Sequence, residues 1–214
     1  MCTVSIWPRE SGYLLGMNRD EQRTRATASG PETRRVGDVG VVHPREPGGG
    51  TWIATNDGGA TFALVNWYAI APRDRGPRRS RGDVVIAASD CPGVEAASRR
   101  LGSEDLERVH PFRLVGVFLE ERRILEWCWD QRSLVVHEHG WEPRQWISSG
   151  FDEPGARRSR SAVFAARMRD ADRGSVGWLR RLHASHDPEA GPYSTCMHRP
   201  DAATVSYTEV EVSR

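Results

Sequence analysis

The opening segment Cys2-Thr3-Val4-Ser5-Ile6-Trp7, then Pro8-Arg9-Glu10-Ser11-Gly12, then Tyr13-Leu14-Leu15-Gly16-Met17-Asn18-Arg19-Asp20-Glu21 reads as two strands around a turn. Cys2 to Trp7 and Tyr13 to Met17 are short β-like runs, and the residues between them are of the types that close a hairpin. The chain therefore starts as a strand, with a cysteine at its head. Removal of Met1 would give Cys2 a free α-amine beside its thiol. Reference pKa values of about 7.7 to 8.0 for the amine and about 8.5 for the thiol let the amine take the thiol proton near neutral pH. Nucleophile and general base then sit on one residue. A hairpin also returns Gly16 to Glu21, at the end of the second strand, to the neighbourhood of Cys2. An Arg there favours thiolate, and adjacent carboxylates orient the amine.

Beyond this hairpin, Gln22 to Glu46 is poor in apolar residues and reads as a surface excursion with a brief strand at Val39 to His43. Thr51 to Thr55 and Ala60 to Asn66, joined through Asn56-Asp57-Gly58-Gly59, form a second hairpin. A basic loop runs from Pro72 to Arg81, and helices are expected at Gly82 to Ser89 and Gly93 to Leu101, with Pro92 between them. Phe112 to Leu119, Ile124 to Trp129 and Ser133 to His137 read as an antiparallel meander, followed by a short strand at Trp146 to Ser149. Helices over Ala156 to Asp170 and Val176 to His183 precede two final β runs, Tyr193 to His198 and Ala203 to Val212. Blocks of strands alternating with blocks of helices give an α+β class with segregated layers, not a βαβ repeat. One domain over residues 1–214 is expected, since no linker interrupts the pattern.

Hydrophobic residues at 38%, with 28% charged and eight tryptophans, exclude a disordered chain. All 30 basic residues are Arg, so chemistry that needs a lysine, such as a Schiff base, a P-loop or a Ser-Lys dyad, is excluded. A net charge of +1 gives no overall attraction to nucleic acid. The apolar stretch Phe62 to Ala71 is far short of the ~20 residues of a membrane span, and Pro8-Arg9-Glu10 breaks any signal-peptide pattern. Cys2, Cys91, Cys128 and Cys196 are too scattered for a zinc motif or a compact disulfide framework. The expectation is a cytoplasmic protein with reduced thiols, a small-molecule substrate or ligand, no metal and no cofactor. His137 and His139 share a strand face but lack a third ligand. His183 and His186, near a helix end, suit terminal carbonyls or solvent.

Asn66 ends the apolar run Ala63-Leu64-Val65, where an amide needs partners and where its N–H is suited to hold an oxyanion. Trp52, Trp67 and Tyr68 are the aromatic residues placed to line a substrate cleft. Together with Cys2, the string Asn18-Arg19-Asp20-Glu21, Gly49-Gly50-Thr51-Trp52 and Ser80-Arg81-Gly82, they resemble the NRDE family, which includes the transport and Golgi organisation protein 2 homologues. That family is similar in turn to the N-terminal nucleophile hydrolases of the cholylglycine hydrolase and penicillin V acylase group. The resemblance implies a four-layer αββα sandwich of antiparallel sheets and cleavage of a small non-peptide amide. It makes Cys2 the nucleophile and base, Arg19 and Asp20 its electrostatic partners, and Asn66 an oxyanion donor. It also implies an alternative, since members similar to this chain are linked to haem and lipid handling. The sequence departs from the pattern at Gly150, where related chains usually carry Asn after Ser. The closing segment Tyr193 to Arg199 departs as well.

Overall fold

The computed structural model describes residues 2–73 and 76–214; Met1, and Asp74 and Arg75 of the basic loop, lie outside the described residues. In chain order come strands β1 (Cys2–Arg9), β2 (Gly12–Gln22), β3 (Ser29–Val36), β4 (Val39–Arg45), β5 (Ile53–Asn56) and β6 (Ala60–Asn66). Helices α1 (Arg81–Ala88) and α2 (Val94–Ser103) follow, then β7 (Phe112–Phe118), β8 (Arg123–Trp129), β9 (Leu134–His139) and β10 (Arg144–Ser148). Helices α3 (Glu153–Arg167) and α4 (Val176–His183) precede the last strand, β11 (Ala202–Ser213). The class is α+β, with every pairing between these strands antiparallel. Two compact units are present: residues 1–25 with 142–214, and residues 26–141.

The first unit is a four-stranded sheet in the order β10-β1-β2-β11. The opening hairpin lies at its centre, and both flanking strands come from the far end of the chain. β2 is longer than the sequence pattern suggests, because β11 pairs with it from Ser213↔Gly12 to Ala202↔Gln22. That ladder carries the strand past its expected end at Met17 and through Asn18-Arg19-Asp20-Glu21. One face of the sheet packs on the helices: Leu14 is buried with Trp178, Leu179 and Leu182, and Trp7, Val163 and Phe164 close around them. Trp7 meets Trp178 edge-on at 5.2 Å. Asp152 and Ser175 cap α3 and α4, their side chains accepting from the N–H groups of Gly155 and Trp178. The expected strand over Tyr193 to His198 does not form. Its N–H groups are used locally, Cys196 N–H donating to the Ser185 carbonyl and His198 N–H to that of Gly191, with a single bridge between His198 and Ala203.

The second unit is a seven-stranded antiparallel sheet in chain order, β3 to β9. β3 is an addition to the sequence reading. It is polar and largely exposed, a paired edge strand with no apolar alternation to announce it. α1 and α2 bury Val84, Val85, Ala88, Val94, Ala97 and Leu101 in a core with Phe62, Leu64, Phe112, Leu114 and Trp127. The Gly49 to Trp52 and Ser80 to Gly82 motifs meet here. A Cβ on Gly82 would lie 2.8 Å from the Thr51 nitrogen, so the start of α1 can approach this backbone only without a side chain. Among the described residues, no helix is long and apolar enough to cross a membrane.

Candidate active site

Cys2 heads a central strand, so it has a neighbour on each side. Across one ladder it is paired with Arg19 of β2, and across the other with Ser148 of β10. Its backbone N–H donates to Ser148 Oγ at 3.0 Å. The ends of β2 and β10 and the start of β11 meet at this end of the sheet, and Cys2 is only 7% exposed there. Burial pushes the thiol above its ordinary range, and the Asp20 carboxylate adds to the rise. The Arg19 guanidinium and the Asp20 backbone N–H, which donates to the sulfur, act the other way.

Strand alternation divides the four-residue string between the two faces of the sheet. Arg19 shares the face of Cys2 and donates to Glu21 at 3.2 Å, next along that face. Asn18 and Asp20 point to the helices. Asn18 Nδ2 donates to the carbonyls of His183 and Thr195, at 2.8 and 2.9 Å, and its Oδ1 accepts from His183 Nδ1 at 3.1 Å. These bonds assign the His183 proton to Nδ1. Full burial, with the nearby Arg160 charge, lowers the His183 pKa to about 3, so this imidazole is neutral.

Asp20 is held on both oxygens: Thr204 Oγ1 donates to Oδ1 at 2.6 Å and Arg160 Nη1 to Oδ2 at 3.3 Å. Both side chains of the Arg160–Asp20 pair are fully buried. Arg160 Nη1 also donates to Thr3 Oγ1 at 2.7 Å, beside Cys2 on the strand. This network ties Thr3 of β1 and Asp20 of β2 to α3 and β11. Sequence reading missed Ser148, Arg160 and Thr204. A signal for Arg160 was available, since it lies four residues beyond the buried Ala156 on the packed face of α3.

Cys2, Arg19 and Asp20 thus come together in the first unit, with Asp20 approaching the sulfur through its backbone and not its side chain. Asn66, Trp52, Trp67 and Tyr68 belong to the second unit. Asn66 closes β6 and donates through Nδ2 to the Tyr68 hydroxyl at 2.8 Å. The Trp67 N–H donates to the Pro111 carbonyl, and Tyr68 is 43% exposed. Trp52 is buried, its carbonyl accepting from the Leu64 N–H. At the departure from the family pattern, Ser149 Oγ accepts from the N–H groups of Phe151 and Asp152, and Gly150 is exposed. His139 Nε2 bonds Glu126 at 2.9 Å, on the strand that also carries His137.

A family profile described as Transport and Golgi organisation 2 matches residues 1–149. A search of the curated proteins finds no match. Among solved structures, the penicillin V acylase from Agrobacterium tumefaciens is similar at 14% identity and a TM-score of 0.49, over 78% of this chain and 57% of its own. A mutant conjugated bile acid hydrolase from Clostridium perfringens is similar at 11% identity and a TM-score of 0.49, over 76% and 58%. The chain therefore spans less than two thirds of the length of either enzyme.

Proposed function

The chain belongs to the Transport and Golgi organisation 2 family, and from that premise we propose that it is an N-terminal cysteine amidohydrolase, activated by loss of Met1. The supporting observation is the seating of Cys2, with its nitrogen bonded to Ser148 Oγ and Arg19 opposite it in the ladder. With Met1 attached, that nitrogen is an amide and cannot act as a base, and burial keeps the thiol protonated. Removing Met1 turns the amide into an amine that can take a proton, and moves the amino-terminal charge, which already lowers the thiol pKa, onto Cys2 itself.

The α-amine, oriented by Ser148 Oγ, takes the thiol proton, and Sγ attacks the carbonyl carbon of a small amide. Collapse of the tetrahedral adduct breaks the C–N bond as the ammonium returns its proton to the departing amine, leaving a thioester on Cys2. Water, deprotonated by the same amine, then releases the acid and restores the thiol. A chain that keeps Met1 has no such base. For that form, a binding or trafficking role towards haem or lipid is the alternative reading.

A thiol-reactive acyl probe on Met1-free protein tests the proposal. Cys2 is expected to be labelled faster than Cys91, Cys128 or Cys196, even though burial raises all four thiols and takes Cys128 up to about 12. Labelling of Cys2 no faster than the others would overturn the proposal.

A further inference from the structure

The first unit contains a second cluster of reactive side chains, separate from Cys2. His186, just beyond α4, and Cys196 and His198, in the segment before β11, bring their donor atoms within 4.8 Å of one another. His186 Nε2 lies 2.9 Å from His198 Nε2, and Cys196 Sγ lies 3.8 Å from His198 Nε2. Two imidazoles and a thiol on one point form the donor set of zinc. Zn–N distances of about 2.0 to 2.1 Å and a Zn–S distance of about 2.3 Å imply tetrahedral edges of about 3.3 Å between nitrogens and about 3.6 Å from nitrogen to sulfur. Both observed separations are within about half an ångström of those edges.

The backbone carrying the ligands is tied down independently of any metal. Cys196 N–H donates to the Ser185 carbonyl, one residue before His186, so the two ligand segments are joined directly. His198 N–H donates to the Gly191 carbonyl, and Ser194 Oγ bonds the carbonyls of both Gly191 and Cys196. Met197, between the two ligands, donates its N–H to Thr204 Oγ1 and accepts from the Thr204 N–H. A preformed backbone lowers the ordering cost of binding.

From this geometry we propose that His186, Cys196 and His198 form a zinc(II) site with three protein ligands and a fourth position taken by water. Three-ligand zinc sites with a water are the open type, able to exchange that water for another donor. The site is independent of the Cys2 chemistry. The two are nevertheless neighbours, because Thr204 hydrogen-bonds the Cys196 side chain and the Asp20 carboxylate.

Cobalt(II) titration of the reduced full-length protein, followed by displacement with zinc, provides the test. Wild-type protein is expected to bind one cobalt with a near-ultraviolet thiolate charge-transfer band and visible bands of tetrahedral intensity, both removed by one equivalent of zinc. Cys196→Ser should abolish the charge-transfer band, and His186→Ala and His198→Ala should each weaken binding at least tenfold. The two histidines are exposed, so these variants leave the core intact, and Cys2→Ala should leave the spectrum unchanged. Absence of a thiolate band, or equal binding by Cys196→Ser and the wild type, would overturn the proposal.

Discussion

Arg19 is the residue on which the chemistry of Cys2 turns most directly. It is the charged side chain paired with Cys2 across the ladder, and it opposes the burial and the Asp20 charge that hold the thiol up. Replacing Arg19 with Gln is therefore expected to raise the thiol pKa and slow labelling of Cys2 several-fold near neutral pH. Rates followed across pH should show the labelling curve displaced upward with its plateau unchanged; an undisplaced curve would remove Arg19 from the account. Cys2, Arg19 and Asp20 were legible in the sequence because a single hairpin joins them. Their division between two faces was not, because the apolar pattern that marks the second strand stops at Met17, before the string begins. Ser148 and Thr204 were beyond reach for a different reason, since only pairing between opposite ends of the chain brings them here. The donor set His186, Cys196 and His198 was hidden in the same way, by a loop that folds back between its first and second members.

Among the elements, α4 is tied to β2 through one neutral histidine. His183 bonds Asn18 from inside the packed layer, and a Cβ on Gly16 would come within 2.9 Å of its ring, so helix and strand are in close contact there. The folded pKa, about 3, lies below the unfolded value of about 6.5. Above the unfolded value the group is neutral in both states. As pH falls below it, the unfolded chain takes up a proton that the fold refuses, so stability declines from about pH 6.5 down towards 3, by about 1.4 kcal/mol per pH unit. Urea unfolding at about pH 7 and about pH 5 should show this loss, and His183→Asn should flatten it while lowering stability at both values. Equal slopes for variant and wild type would contradict it. The helices and the meander were readable from periodicity and punctuation. β3 was not, because its residues are polar, and Tyr193 to His198 misled because its local carbonyl partners replace a ladder.

At the scale of the whole molecule, the chain closes its first unit by bringing β10 and β11 back to the opening hairpin. The sequence revealed the α+β class, since strands and helices fall in blocks. It did not reveal that the N-terminal strands would be central, a consequence of pairing over the full length of the chain. That central position encloses the head of β1 and gives the first residue after Met1 a fixed partner for its nitrogen. Everything proposed for Cys2 depends on that nitrogen being an amine. The most direct measurement is the intact mass of the protein purified from cells. The account predicts a mass lower than the translated sequence by one methionine residue, and retention of Met1 would contradict it.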